Sequence, residues 1–395
     1  MEKTVNKNII KIGIYACALL MMGAIAVASN LANIMAAFPE VSPTTIVAYM
    51  ISIPCLIVIP VTIITGKLMD KIAKKTLVIV GILFWLVGGV VPFFLSSLTT
   101  ILTLRCVFGI GLGMVQTLCA ALVVENFEDA DERNKTMGTM TAFQMLGTII
   151  FSLVAGNLGA ISWNVAFLVH LIAVISLIGA IVCIPYKKPE AVSSSGEKTK
   201  FQPTSLMWIW TIAFMVVMIG GQTYANSASA LITELGLGNS VAAGYSLAIF
   251  AVGGLLMGFG FGKFAQIFKN MTLTAGCVLM AISFAIIVFA PNLAVSYIGA
   301  FITGSCFSIL MPCIMNGSAN SVNQSSSGMA VSIATCLQNI GMALCPYVVN
   351  AGGAMVKSTI NSNLTVNQGA LLTGLVILVV LAVVFGIINS QKKNS

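Results

Sequence analysis

One arginine lies inside an apolar run of this chain. In the stretch LTLRCVFGIGLGMVQ, Arg105 is followed by Gly109, Gly111 and Gly113. A charged side chain in such surroundings is costly and normally faces a polar cavity or a partner. Two roles are open: Arg105 attracts an anionic group or shifts during proton coupling, or it bonds backbone carbonyls of the first helix and locks the helices together. Glu40 is the only plausible nearby carboxylate in the first half of the chain.

Neutral polar side chains inside the apolar runs form a second set that could bind a small molecule. Gln116 follows Arg105, Gly109 and Gly113 on one face at helical spacing. Each member could instead make an interhelical hydrogen bond, which membrane helices use to associate. As a set they indicate a neutral-polar pocket. The candidates are Asn30, Asn33, Gln116, Gln144, Gln222, Tyr224, Asn226, Asn316, Gln338 and Asn339.

Residues for acid–base or metal chemistry are scarce. All 11 acidic residues lie at the ends of apolar runs or in loops, and only Glu125, near the inner end of the fourth run, is a candidate for proton coupling. The single histidine, His170, is expected to be a packing or lipid-edge residue. None of the ten cysteines forms a CxxC pair, and no GxxxxGK[ST] motif occurs. We therefore predict no catalytic residue, metal site or cofactor, and no enzyme activity.

The elements that must position these residues are long apolar helices. The chain of 395 residues is 58% hydrophobic and only 8% charged, whereas soluble proteins are nearer a quarter charged. A helix needs about 20 apolar residues to cross a bilayer. The predicted runs are 9–36, 45–66, 76–97, 99–124, 136–160, 164–186, 205–230, 240–262, 271–290, 293–316, 326–350 and 368–389.

Charge placement predicts the orientation of these helices. With the N-terminus inside, nearly all of the 19 basic residues fall in cytoplasmic segments, and Lys357 is the one that falls outside. We therefore expect a multi-pass protein of the cell membrane with both termini in the cytoplasm. The net charge of +8 is then a signal of topology and does not indicate a nucleic-acid partner.

A polar linker divides the runs six and six, and the halves are related. We predict a first domain at 1–186, a cytoplasmic linker at 187–204 and a second domain at 205–395. The segment GKLMDKIAKKTL from Gly66 recurs as GKFAQIFKNMTL from Gly262. FQMLG (Phe143–Gly147) recurs as LQNIG (Leu337–Gly341), which makes Gln144 and Gln338 equivalent. Transporters are commonly built from such repeats.

The segment GKLMDKIAKK resembles the signature of the major facilitator superfamily, G-x-x-x-D-[RK]-x-G-[RK]-[RK]. We expect the glycine to let helices approach closely. The aspartate is expected to neutralise the positive cluster or to cap a neighbouring helix. The pattern of Arg105 with its glycines, and the Glu-Arg pair that ends at Arg133, also resemble that family. The matching residues are Gly66, Asp70, Lys71, Lys74 and Lys75, with Ala73 in place of the second glycine.

The resemblance implies an all-α membrane protein with twelve transmembrane helices in two pseudo-symmetric six-helix bundles. It also implies a central cavity lined by the first, fourth, seventh and tenth helices, alternating access, and a monomer. We expect a secondary transporter of a compact polar or anionic metabolite, moved either alone or with a co-transported proton or ion. The alternative is a proton-coupled multidrug efflux pump, although Phe151 and Ser152 replace the Gly-Pro pair typical of proton antiporters. A non-transporting membrane sensor and a membrane-embedded enzyme are remote alternatives.

Overall fold

A computed structural model describes residues 6–127, 129–187, 202–323 and 326–394, and these residues form helices and no strands. Eleven stretches are long and apolar enough to cross a membrane, and one of them, Ser240–Val288, contains two successive helices. The described part of the chain therefore has twelve membrane helices, as the hydropathy pattern predicted. Their all-α architecture is confirmed.

We number these helices as spans 1 to 12. Spans 1 to 6 are Lys7–Ala37, Pro43–Leu68, Lys74–Phe94, Leu98–Asn126, Ala130–Ile161 and Val165–Cys183. Spans 7 to 12 are Ser205–Glu234, Ser240–Phe268, Thr272–Val288, Leu293–Ala319, Ser327–Thr359 and Val366–Asn394.

Side-chain caps begin several of the spans. The side chains of Ser42, Thr204 and Asn239 accept hydrogen bonds from backbone N–H groups in the first turns of spans 2, 7 and 8. Asn292 does the same for span 10. A cap of this kind satisfies a backbone donor that has no partner within the helix. These residues fix where the apolar runs become helical.

The described residues form two compact units. The first contains spans 1 and 3 to 6 together with span 2 from Tyr49 onwards. The second contains spans 7 to 12 and also the first turn of span 2, Pro43–Val47. The division at 1–186, 187–204 and 205–395 stays a prediction, since most of the linker lies outside the described residues.

Parts of spans 1, 2 and 6 depart from regular α-helix. Span 1 is a 3₁₀ helix over Leu19–Asn30, and span 6 begins as one over Val165–Ile172. Span 2 contains a π-helical turn at Ala48–Ser52. Runs of 3₁₀ helix longer than three or four residues are uncommon, and π turns occur frequently at functional sites.

Glycines allow close approach of neighbouring spans. A Cβ atom at Gly111 would collide with the backbone of Trp85, so spans 3 and 4 pack closely at this point. In the second unit a Cβ atom at Gly304 would collide with the carbonyl of Phe250, where spans 8 and 10 meet. Small residues at such contacts let membrane helices gain van der Waals packing.

Candidate functional site

Arg105 is buried and bonded to the backbone. Its Nε and Nη2 atoms both donate to the carbonyl of Met50, at 3.1 and 2.9 Å. Its guanidinium carbon lies 4.2 Å from the ring centroid of Phe108, within the range of a cation–π interaction. The bonded carbonyl belongs to the π turn of span 2, so the expectation of carbonyls in span 1 is wrong. Glu40 is exposed, and no carboxylate among the described residues pairs with Arg105.

The glycines that follow Arg105 face a neighbouring helix. A Cβ atom at Gly109 would lie 2.9 Å from the carbonyl of Pro54, and one at Gly113 would lie 3.0 Å from the side chain of Val61. Both positions are buried against span 2. The face that carries Arg105, Gly109 and Gly113 is therefore a packing face.

Asn30 and Asn33 connect span 1 to the junction of spans 5 and 6. Asn30 Nδ2 donates to the carbonyl of Trp163 at 2.7 Å. Asn33 Nδ2 donates to Asn30 Oδ1 and to the carbonyl of Gly159, both at 2.8 Å. Their hydrogen bonds are of the interhelical kind that membrane bundles use to associate.

Gln116 and Gln144, the amide pair, meet at span 1. Gln116 Nε2 donates to the carbonyl of Met21 at 3.3 Å, and Gln144 Nε2 lies 3.3 Å from the sulfur of the same residue. Both glutamines are half-buried, and their amide oxygens have no hydrogen-bond partner among the described residues. Phe143, the residue before Gln144 in span 5, stacks with Tyr15 of span 1, and their ring centroids lie 5.0 Å apart. The amide pair therefore offers two hydrogen-bond acceptors at half-buried positions.

Sequence reasoning found both glutamines but missed Met21. Gln144 was singled out because its repeat equivalent is also a glutamine, Gln338. Met21 is one of 21 methionines in the chain, and an unbranched apolar side chain normally fills gaps in a core. A methionine in the sequence therefore gives no indication that its carbonyl and sulfur contact two glutamines.

Span 7 is interrupted where the second unit has its polar residues. One helix ends at Gly221 and the next begins at Thr223, with Gln222 between them. The hydroxyls of Tyr224 and Ser246 are hydrogen-bonded, and Asn226 Nδ2 lies 3.3 Å from the sulfur of Cys345. All of these side chains are buried. They act here as contacts between helices of the second unit.

The remaining candidates are less enclosed. Asn316 in span 10 is exposed, and Gln338 and Asn339 in span 11 are half-buried. Asn339 Nδ2 donates to the carbonyl of Thr335 in its own helix. Among the predicted residues the structure brings together Gln116 with Gln144 and Asn30 with Asn33. Their assignment to one substrate cavity stays a prediction.

The signature-like segment differs from its expected packing. A Cβ atom at Gly66 would meet nothing within 4 Å, and the same holds for Gly262 in the repeat. The expectation that Gly66 brings helices together is therefore wrong for this structure. Asp70 and Lys71 are exposed, and neither pairs with another described residue. The residue at the N-cap of span 3 is Ala73, which has no side chain that could cap, and Asp70 does not cap span 3 in its place.

Lys74 and Lys75 connect the start of span 3 to spans 4 and 6. Lys74 Nζ lies 3.3 Å from Glu125 Oε1, at the end of span 4. Lys75 Nζ donates to the carbonyl of Ile181 in span 6 at 2.6 Å. Glu125, the candidate for proton coupling, is therefore an ion-pair partner at a helix end.

Glu132 is a further charged residue that sequence reasoning did not single out. It accepts from Lys11 at 2.9 Å and from Lys7 at 3.1 Å, so it ties the start of span 1 to that of span 5. The hydrogen bonds from Lys11 and Lys7 lower the pKa of the Glu132 carboxyl from its ordinary value of 4.5. Lys7 and Lys11, two of the basic residues that predict topology, thus also bind the start of span 5.

His170 is a packing residue in the interior of the first unit. Its ring lies 5.0 Å from that of Trp85 and 5.4 Å from that of Phe108, and it is not exposed. Its place is therefore the aromatic core and not the lipid edge. Within the described residues, no group of three or more His, Cys, Asp or Glu side chains could hold a metal ion.

Solved structures of known transporters share this fold. The nucleoside transporter NupG superposes with a TM-score of 0.77 at 12% identity, covering 96% of this chain and 99% of that one. A D-xylose-proton symporter gives a TM-score of 0.76 at 15% identity, covering 96% of this chain and 97% of that one. A peptide transporter, PepTSo, gives 0.76 at 11% identity, covering 98% and 99% of the two chains. At these identities the likeness concerns the fold.

Sequence comparisons point the same way. Multidrug resistance protein 1 of Bacillus subtilis is 24% identical over 221 residues, which is 54% of this chain and 55% of that protein. The uncharacterized MFS-type transporter EfpA of Mycobacterium tuberculosis is 29% identical over 105 residues, 27% of this chain and 20% of that protein. The matches thus span about a fifth to just over half of these relatives. The family model of the Major Facilitator Superfamily matches residues 13–346. The chain therefore belongs to the Major Facilitator Superfamily and is a multi-pass membrane protein.

Proposed function

We propose that this protein is a secondary transporter that moves a compact, neutral polar solute across the cell membrane by alternating access. Transport proceeds without chemical conversion of the solute. The amide pair carries the proposal, because Gln116 and Gln144 present unbonded amide oxygens at half-buried positions within spans 4 and 5. Acceptors of this kind suit a solute with hydroxyl or N–H donors.

An anionic solute has less support. Arg105 is buried, and its charge is already engaged by the Met50 carbonyl and the Phe108 ring. Arg105 has no exposed surface, so an incoming anion would have to open the packing around it. The sequence indicated a polar or anionic solute, and of these two we favour a neutral polar solute.

The open faces at Gly66 and Gly262 fit a protein that changes conformation. Gly66 and Gly262 are equivalent in the repeat, and a Cβ atom at either position would meet nothing within 4 Å. Another conformation can cover these open surfaces, together with the unpaired Asp70 that follows Gly66. We propose that both termini are cytoplasmic and that the transporter is a monomer. If transport is coupled to a proton, Glu125 is the candidate, and its ion pair with Lys74 would have to open during the cycle.

Multidrug efflux is the second candidate. The similarity to Multidrug resistance protein 1 of Bacillus subtilis, over 54% of this chain, favours it. The stacked rings of Tyr15 and Phe143, in spans 1 and 5, would suit a flat lipophilic cation.

A thermal-stability screen of the purified protein separates these candidates. The panel holds sugars, nucleosides, amino acids, small carboxylates and lipophilic cations, each at several concentrations. A ligand that binds only the folded protein raises the melting temperature by mass action. Stabilisation by a neutral polar solute, followed by its uptake into proteoliposomes, supports the proposal. Stabilisation by lipophilic cations alone favours drug export and contradicts it.

The amide pair is then tested directly. Gln116→Leu and Gln144→Leu keep similar side-chain volume and remove the acceptors, so each is expected to weaken solute binding by about threefold to tenfold. Gln266→Leu, at an exposed position near the end of span 8, is the matched control and should bind normally. Unchanged affinity in both pair variants would show that the solute binds elsewhere.

A further inference from the structure

Four buried polar atoms of the first unit have no hydrogen-bond partner among the described residues. They are Ser52 Oγ, Trp85 Nε1, Arg105 Nη1 and His170 Nε2. A buried polar atom that makes no hydrogen bond loses its solvation without compensation. Three of the four belong to side chains that surround one ring, that of Phe108.

The geometry around Phe108 brings spans 3, 4 and 6 together. The guanidinium carbon of Arg105 lies 4.2 Å from the Phe108 ring centroid. The rings of Trp85 and His170 lie 5.1 and 5.4 Å from the same centroid and 5.0 Å from each other. Trp85, Arg105 and His170 are all fully buried.

The hydrogen bond of His170 fixes its tautomer. His170 Nδ1 lies 2.8 Å from the carbonyl oxygen of Phe167. A carbonyl only accepts, so Nδ1 carries the proton, and Nε2 of the neutral imidazole is an acceptor. Arg105 Nη1 and Trp85 Nε1 can only donate. The cluster therefore contains two unused donors and one unused acceptor.

We propose that one internal water molecule binds among Arg105 Nη1, Trp85 Nε1 and His170 Nε2. It accepts hydrogen bonds from the first two atoms and donates one to the third. Buried waters typically make about three hydrogen bonds to polar groups that would otherwise lack a partner. A chloride ion would suit the two donors but would face the lone pair of His170 Nε2, so a ligand that both donates and accepts fits the cluster better. The water completes the hydrogen bonding of a charged side chain that is buried among apolar helices.

The lone histidine makes the proposal directly testable. His170 is the only histidine in the chain, so protein labelled with ¹⁵N-histidine and purified with a tag free of histidine gives a single imidazole signal. In lipid bilayers at pH 7 we expect a protonated Nδ1, a bare Nε2 and magnetisation transfer from water to Nε2. Since His170 has no exposed surface, that transfer reports an internal water. A protonated Nε2 or the absence of transfer would overturn the proposal, and so would an imidazolium signal that changes when gluconate replaces chloride.

A variant tests the second donor. Trp85→Phe keeps an aromatic ring and removes only Nε1, so the transfer from water to His170 should weaken. Trp208→Phe, at a position that is 42% exposed, is the matched control and should leave the transfer unchanged. Full transfer in Trp85→Phe would contradict the three-partner site. None of these measurements depends on the identity of the solute or on the proposed function.

Discussion

Arg105 donates twice to one carbonyl and lies over an aromatic ring. A lysine supplies no planar group and cannot make the same forked contact. We expect Arg105→Lys to lower the melting temperature while solute affinity stays within about twofold of wild type. Thermal unfolding and ligand titration measure the two effects.

Arg133→Lys is the matched control, because Arg133 lies in the first turn of span 5, before its membrane-crossing part. Arg133→Lys should alter neither the melting temperature nor the solute affinity. A tenfold loss of affinity in Arg105→Lys at an unchanged melting temperature would assign Arg105 to the solute instead of to span 2.

Glu132 should make part of the stability depend on pH. Its pKa is lowered from 4.5 by Lys11 and Lys7. A carboxyl with a lowered folded-state pKa contributes stability that is present above its ordinary pKa and is lost as the pH falls through the lowered value. Glu132→Gln should therefore melt below wild type at neutral pH, and this difference should shrink as the pH falls below 4.5. A difference that persists unchanged in acid would mean that the ion pairs do not stabilise the fold.

At the scale of helices, two glycines should respond oppositely to the same substitution. Gly304→Ala places a Cβ atom against the carbonyl of Phe250, so we expect a loss of about 1–3 kcal/mol from overpacking between spans 8 and 10. Gly262→Ala meets nothing within 4 Å and should be neutral or gain up to about 1 kcal/mol, because alanine favours helix. Unfolding of both variants in detergent measures the difference. Equal effects would contradict the close approach at Gly304.

The helices could be predicted because each apolar run is long enough to cross a bilayer, and this needs no knowledge of neighbours. The hydrogen-bond partner of Arg105 could not be predicted, because the spacing of residues along span 4 defines a face of that helix but not which helix packs against it. The π turn at Ala48–Ser52 carries the Met50 carbonyl that accepts from Arg105. It could not be predicted either, because so short an apolar segment has no sequence pattern that distinguishes a π turn from an α-helix. The repeat makes Gly66 and Gly262 equivalent in the sequence, but it does not predict that both faces are open.

For the whole molecule, the charge pattern predicts which loops face the cytoplasm. Lys71 and Asn361 are exposed residues that should lie on opposite sides of the membrane. In right-side-out vesicles, a membrane-impermeant maleimide should label Asn361→Cys at once and Lys71→Cys only after permeabilisation. The wild-type protein, with its ten cysteines in helices, gives the background. Labelling in the reverse order would invert the predicted topology.

The 3₁₀ segment of span 1 has a consequence for the length of that helix. Twelve residues, Leu19–Asn30, rise about 2.0 Å each in 3₁₀ form and about 1.5 Å each in α form. The segment is therefore about 6 Å longer than the same residues would be as α-helix. A return to α geometry would shorten span 1 by about one helical turn and draw Asn30 and Asn33 away from the carbonyls of Trp163 and Gly159. The hydrogen bonds of these two asparagines therefore favour the extended length of the helix over the shorter α-helical one.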